Sequence, residues 1–516
     1  MANVGHGVPE ETYFIRRKWD DFIRHLLGLE PPRLPAHLPA NEGEFAVVES
    51  NTLEASIRSH KPIVEMESCI MEVKLIGKRK FLVAIMLCSL FIGNSVINAF
   101  GSSPSQQEQQ SAVATQQSKD PTTSSKQTAV TFPALKGPYK VGTERFHWVD
   151  KSRPETFTAN KSDHRELMIQ VWYPTNASSA SHKREPYATD PTSLAKAYEG
   201  YSKIPAAQFL PLLSSTTHSL IKAPIAESNQ KYPVLILSHG LGMLNDAYRF
   251  IAEPLASQGY IVVSVQHTYN SLVTTFPNGK VVNFNGANSD STSYLDRLIT
   301  KVWVKDIQFV LDHLEQLSEK KSYHIWKQAD LSRVGMLGHS FGGATAAQVM
   351  LQDERVKAGI NMDGGFFGKL IPETGIPGPF MLMNAGYDGL KNVESIDPKQ
   401  AAQAQGLDEK KITEMLKHVI SRYKQAVRSS YSVSFRHADH STFSDTPLIP
   451  YPSAPNDAAR LQALYRTHSS INAYSLDFFD YFLKGKPSKL LNGKNKIEDV
   501  KVEIGEHVKT KPASSK

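Results

Sequence analysis

LSRVGMLGHSFGGATAAQVM, residues Leu331 to Met350, decides how this chain folds. Val334, Met336 and Leu337 form a short apolar run of the kind that fills a buried strand, and Ala344, Ala346, Ala347, Val349 and Met350 open a helix. Between them lies Gly338-His339-Ser340-Phe341-Gly342, a G-x-S-x-G turn of the kind that raises a serine above a sheet as a nucleophile. Glycines belong at its flanks, because strand and helix pass too closely there to admit a side chain. With 31 glycines in 516 residues, such a pattern arises by chance roughly 0.1 to 0.2 times in a chain of this length. The motif therefore needs partners elsewhere, the alternative being a tight turn with an idle serine.

On either side of that stretch, strands and helices alternate. Leu167 to Tyr173 reads as an early strand ended by Pro174, and Pro233 to Leu237 as a continuous apolar strand running into His239-Gly-Leu-Gly242. Tyr260 to Val265 follows a helix carrying Phe250, Ile251, Pro254 and Leu255. Ile299 to Leu317 reads as one long amphipathic helix, with Val302, Val304, Ile307, Val310, Leu311 and Leu314 on its apolar side. Beyond the serine come strands over Val356 to Met362, Pro379 to Asn384 and Tyr431 to Phe435, then a closing helix near Ile471 to Phe482. Continuous apolar strands interleaved with helices predict an α/β fold, a mostly parallel central sheet with helices on both faces. Ligands of such sheets sit at the carboxyl ends of the strands.

The chain before that body is of another character. Residues 1–70 form an extension in which Ile15, Trp19, Phe22, Ile23 and Leu26 fall at helical spacing before EPPRLPAHLP breaks the pattern. Lys78-Arg79-Lys80 then precedes an apolar run, Phe81 to Ile92, followed by Ala99 and Gly101. A basic head, a short apolar core and a small-x-small exit make residues 71–101 a signal peptide and predict a secreted or periplasmic protein. Since such a segment belongs at a chain's beginning, the economical reading starts translation at Met71 or Met66; the alternative is a membrane anchor over 81–100. Residues 102–131, rich in Ser, Gln and Thr, form a linker unable to bury a core. The folded body is expected over 132–485, and 486–516 is a Lys-rich tail. Both cysteines, Cys69 and Cys88, precede the predicted cleavage point, so the exported body has no disulfide and no cysteine-based metal or redox site. The net charge of +7 is modest, with no basic stripe of interleaved aromatics for nucleic acid; it is compatible with attraction to anionic membrane surfaces.

A serine nucleophile needs a base, an acid to hold the base's tautomer, and N–H donors for the oxyanion. The last strand empties into Arg436-His-Ala-Asp-His-Ser-Thr-Phe443, where His440, deeper in the loop than His437, is the better placed base. Two aspartates end strands after the nucleophile: Asp363, in Asn361-Met-Asp-Gly-Gly365, and Asp388, in Asn384-Ala-Gly-Tyr-Asp-Gly389. Topology alone leans slightly to Asp388, and either can be a plain turn aspartate before glycine. The oxyanion donors are expected from Phe341, which follows the serine, and from Leu241 in the HGLG turn.

Taken together, LSHGLG, PLASQGYIVVSVQH, GHSFGGATAAQ, a strand-end aspartate and a late H-x-x-F resemble the platelet-activating factor acetylhydrolases of the plasma and intracellular type-II group, members of the α/β-hydrolase superfamily. The similarity covers roughly Lys136 to Phe482. It implies an acid 23 residues beyond the serine, which is Asp363, and so reverses the topological lean. It also implies Ser340 as nucleophile, His440 as base, and Leu241 with Phe341 as oxyanion donors. The chain departs from the family where Gly365 replaces an aromatic two positions after the acid, and in expanded regions over Ala188 to Asn229 and Pro398 to Val427. The second of these carries Ile412, Leu416, Val419, Ile420 and Tyr423 on one side, either a helix packed on the sheet or a lid that docks on membrane.

The residues predict a serine esterase acting through an acyl-enzyme with no metal and no organic cofactor, and the resemblance implies phospholipids with short or oxidised sn-2 chains, cleaved without calcium, as its substrates. Its partners are a lipid or small ester substrate and, transiently, a membrane or lipoprotein surface. A general carboxylesterase or polyester- and cutin-cleaving hydrolase is the alternative with the same residues. A catalytically silent lipid- or partner-binding scaffold is the alternative of another class.

Overall fold

The computed structural model describes residues 130–285, 291–320, 324–386, 389–405, 408–449, 458–492 and 496–508. The extension, the signal-like segment, nearly all of the linker and Asp388 lie outside them. One 11-stranded sheet organises the body, in the order β13-β12-β11-β10-β9-β5-β6-β2-β1-β4-β3. Its strands are β1 Lys140–Pro154, β2 His164–Thr175, β3 Arg184–Pro186, β4 Thr216–Ile221, β5 Tyr232–Ser238, β6 Ile261–Gln266, β9 Ala329–His339, β10 Val356–Met362, β11 Phe380–Ala385, β12 Ser430–Phe435 and β13 Val500–Ile504. A two-stranded ribbon of β7, Val273–Thr275, and β8, Val281–Asn283, stands apart.

From β6 through β5, β9, β10 and β11 to β12 every pairing is parallel. These strands are the continuous apolar runs of the sequence, and β5, β6, β11 and β12 are buried at every position. Apart from α1 Pro191–Ser202, whose Ala195 packs in a separate cluster with Phe209 and Leu212, the helices cover the sheet faces: α2 Arg249–Ser257, α3 Thr292–Leu298 leading into α4 Val304–Glu319, α5 Phe341–Met350, α6 Glu409–Arg428 and α7 Ala458–Lys484. One core contains Leu235, Leu237, Ile360 and Met383 with α2 and α7; a second contains Val234, Ile236, Met336 and Leu382 with α4.

The flanks are antiparallel except where β1 meets β4 in parallel. β1 and β2 form a long hairpin that joins β6 through β2, and β13 closes the opposite edge against β12. The Lys-rich tail thus supplies a strand of the sheet. The helix read over Ile299 to Leu317 is interrupted: α3 passes through one π turn, Ile299–Trp303, into α4. The extra residue of a π turn rotates the helix face, and it turns Trp303 fully inward. The α6 residues Ile412, Leu416, Val419 and Tyr423, weighed above as a membrane-docking face, pack into the core, leaving Lys410, Lys411, Lys417 and Lys424 outward.

Candidate active site

The turn after β9 is built by close approach. Ser340 has φ +55° and ψ −121°, a conformation that L-residues avoid and that the surrounding bonds must enforce. Its N–H donates to the Met362 carbonyl at 2.9 Å, and α5 begins at the next residue. A Cβ on Gly338 would lie 2.2 Å from the Gly342 carbonyl oxygen, and one on Gly342 would lie 2.2 Å from that of Ser238. Both glycines are therefore required by backbone contact.

Asp363 follows β10 directly, itself at φ +57°, and is almost wholly buried. Its Oδ1 accepts the Ala385 N–H at 2.8 Å and its Oδ2 lies 2.8 Å from His440 Nδ1. Burial raises its carboxyl above the usual range, and the His440 imidazole draws it only part of the way back. Asn361 shapes the turn, accepting the Gly364 N–H at 2.7 Å and donating to the Gly364 carbonyl at 3.0 Å. Gly364 has no room for a side chain, since a Cβ there would meet the Ser340 carbonyl oxygen at 2.1 Å. The Asp363 loop and the serine turn are thereby pressed together.

His440 opens a 3-10 turn, His440–Phe443, whose capping residue Asp439 exchanges hydrogen bonds with Thr442. The capping explains why the second histidine of the RHADHSTF loop, and not the first, is turned over the sheet. His437 is largely exposed and bonds Asp499 Oδ2 at 3.0 Å.

The HGLG segment after β5 forms a turn closed by the Met243 N–H on the Gly240 carbonyl at 3.0 Å, with Gly242 at φ +78°. A positive φ at the third position is the type II requirement that selects glycine. Leu241 occupies the second position, so its N–H takes no part in the turn's closing bond. Phe341, as first residue of α5, likewise directs its N–H out of the helix end.

His239 fixes the direction of the Leu241 N–H. Its Nε2 accepts the His267 N–H at 3.0 Å, so the neutral ring carries its proton on Nδ1 and donates it to the Gly240 carbonyl at 2.7 Å. Burial, with His267 alongside, lowers its pKa to about 3, in keeping with a neutral ring. The Gly240 carbonyl and the Leu241 N–H belong to one trans peptide and point oppositely, so holding the first aims the second.

Beneath this loop lies a buried charge cluster that no motif announced. Asp306 receives Arg165 Nη2 at 2.7 Å, Arg153 and His267 Nδ1 at 2.8 Å. Burial alone would raise its carboxyl; the two guanidinium groups hold it below the usual carboxylate range. His267 stacks on Trp303 with centroids 3.8 Å apart, and Trp303 also meets His239 and Phe341 edge-on. A buried Asp at helical spacing, with Arg far away in sequence, was the available signal. Only the fold brings Arg153, Arg165 and Asp306 together. Among the described residues, no group of three or more His, Cys, Asp or Glu is placed to hold a metal ion.

A profile of the family described as platelet-activating factor acetylhydrolase, isoform II, matches residues 123–412. The chain belongs to that family. The matched span includes the HGLG turn, Ser340 and Asp363, and ends before His440. A relative from Arthroderma benhamiae described as a probable 1-alkyl-2-acetylglycerophosphocholine esterase is 26% identical over 70% of this chain and 90% of its own. The platelet-activating factor acetylhydrolase of Cavia porcellus is 28% identical over 35% of this chain and 48% of its own. Among solved structures, a ferulic acid esterase from Streptomyces cinnamoneus superposes with TM-score 0.54 at 27% identity, over 72% of this chain and 98% of that one. The fold is that of the α/β-hydrolases, and the enzyme is a serine ester hydrolase of the acetylhydrolase type.

Proposed function

We propose that Ser340 is the nucleophile, His440 its base, Asp363 the acid that orients His440, and Leu241 with Phe341 the oxyanion donors. The observation carrying this reading is the 2.8 Å contact between Asp363 Oδ2 and His440 Nδ1, from carboxylate to imidazole beside the strained serine turn. His440 takes the Ser340 hydroxyl proton as Oγ bonds to the ester carbonyl carbon. The oxyanion leans on the N–H groups of Leu241 and Phe341. Collapse breaks the ester C–O bond, and the alcohol leaves with the proton from His440. Water, deprotonated by His440, then resolves the acyl-enzyme to carboxylic acid and free Ser340. Fluorophosphonate labelling of the wild type, lost in Ser340→Ala, tests the assignment. A wild type that does not label would return the chain to a silent scaffold.

As substrate we propose phospholipids with short or oxidised sn-2 acyl chains, cleaved without calcium. The family match and the name of the Arthroderma relative support it. The likeness to a ferulic acid esterase favours a second reading, cleavage of esters outside the phospholipid class. A calcium-free panel of p-nitrophenyl esters, acetate to decanoate, beside short- and long-chain phosphatidylcholines separates them. Turnover of acetyl phosphatidylcholine at least equal to the soluble esters is expected; aromatic esters alone would favour the second reading. We further propose export, on the Lys78-Arg79-Lys80 head and the apolar run from Phe81 to Ile92. Mass spectrometry of the mature N-terminus tests it, since a retained peptide from residues 2–68 is incompatible with cleavage.

A further inference from the structure

Two halves of this site come from distant parts of the chain: the oxyanion turn after β5 and the His440 loop after β12. A chain of buried groups joins them. The Gly240 N–H donates to the Tyr248 hydroxyl oxygen at 2.8 Å, and that hydroxyl lies 3.1 Å from His339 Nδ1. At its other end His339 Nε2 lies 2.9 Å from the His440 carbonyl oxygen. Tyr248 and His339 are both buried, and the His339 and His440 rings lie 4.6 Å apart.

The direction of every proton in this chain follows from its ends. A carbonyl oxygen only accepts, so His339 Nε2 carries a proton. In a neutral imidazole the other nitrogen is then an acceptor. A backbone N–H only donates, so the Tyr248 oxygen accepts from Gly240 and has its own proton to give. Two acceptors are within reach, His339 Nδ1 at 3.1 Å and Met243 Sδ at 3.2 Å. The imidazole nitrogen is the stronger acceptor, a thioether sulfur being a weak one. Burial, with His440 beside it, keeps the His339 pKa well below its ordinary value, consistent with the neutral ring this requires.

We propose that Tyr248 and His339 form a positioning relay that locks the oxyanion turn to the base loop, so that the two halves of the site hold one relative geometry. His339 fills the first variable position of G-x-S-x-G, so the relay runs through the serine turn itself. Its members touch no reacting atom. They act through Gly240, whose Cα would place a Cβ 3.3 Å from Ser340 Cβ, and through the backbone of His440. This inference rests on the catalytic roles proposed above, which the loss of fluorophosphonate labelling in Ser340→Ala tests separately.

A double-mutant cycle tests the relay, with p-nitrophenyl acetate as substrate and turnover expressed per fluorophosphonate-titrated site, so that only competent molecules are counted. Tyr248→Phe removes one oxygen, and His339→Leu removes both imidazole bonds at similar size. Each is expected to lower kcat roughly 10- to 100-fold, the range for displaced catalytic groups, with KM changed less than about threefold. The double variant should be no worse than the poorer single one, since one broken link opens the chain. His339→Gln, whose amide N–H can reach the His440 carbonyl, should recover part of the kcat lost in His339→Leu. Singles whose effects on kcat multiply, or variants that lose thermal stability while kcat per titrated site stays at wild type, would overturn the proposal.

Discussion

Ser340 and Asp363 both sit at positive φ, one just past the end of each of two adjacent parallel strands. Such backbone costs of order 1–3 kcal/mol per residue, and it persists because neighbouring contacts over-determine it. At Asp363 those contacts are its N–H on the Met383 carbonyl at 2.7 Å and Oδ1 on the Ala385 N–H. Asp363→Asn keeps the size and that second bond but presents an amide, able to favour the wrong His440 tautomer. It should lower kcat by roughly 10³- to 10⁴-fold, while Asp388→Asn stays near wild type; steady-state kinetics of the pair decide. The choice between these aspartates shows what one sequence leaves open. Both stand before glycine at a strand end, and residue type carries no record of which strand end faces His440. The glycines were more legible, because backbone contact at Gly338 and Gly342 leaves no alternative residue.

At the scale of the element, α2 is held by an aspartate from far along the chain. Asp445 accepts the N–H groups of Arg249 and Phe250 at 2.9 and 3.0 Å, and the Tyr187 hydroxyl at 3.1 Å. Burial outweighs these donors and pushes its carboxyl up to about 6 from the ordinary 3.8. A folded pKa above the unfolded one means that the folded state holds the proton more tightly. Its contribution is therefore complete below about pH 4 and is lost as the pH rises through 6, by roughly 3 kcal/mol at most. Asp445→Asn removes that titration and keeps an acceptor. Its urea midpoint should gain on wild type between pH 4.5 and 7, and parallel curves would refute the sign. Sequence could not supply this cap, because helix starts are sought in the residues just before them, and here the Tyr248 side chain makes no capping bond to the helix. The π turn at Ile299–Trp303 escaped for a related reason: apolar spacing over Ile299 to Leu317 fits a regular helix, and the extra residue follows from seating Trp303 against His267.

For the whole molecule, the six parallel strands were readable as apolar runs, whereas β1 and β13 were not. β1 mixes buried and exposed positions with charged residues among them, and β13, VKVEI, has three half-buried residues followed by two exposed ones. Their place is set by partners that sequence does not name. β13 pairs from Val500–Phe435 to Ile504–Tyr431, and Asp499 just before it accepts from His437 while its carbonyl takes the Arg436 N–H at 3.0 Å. A chain shortened to end at residue 498 should bare the edge of β12 and self-associate, as light scattering would detect; a monodisperse product would argue against it. Time order adds a consequence. β12 leaves the ribosome more than sixty residues ahead of the strand that covers it, several seconds at about 5–20 residues per second. Through that interval the strand leading to His440 has an open flank, which closes only when β13, made after Ser340, Asp363 and His440 have all emerged, pairs along it.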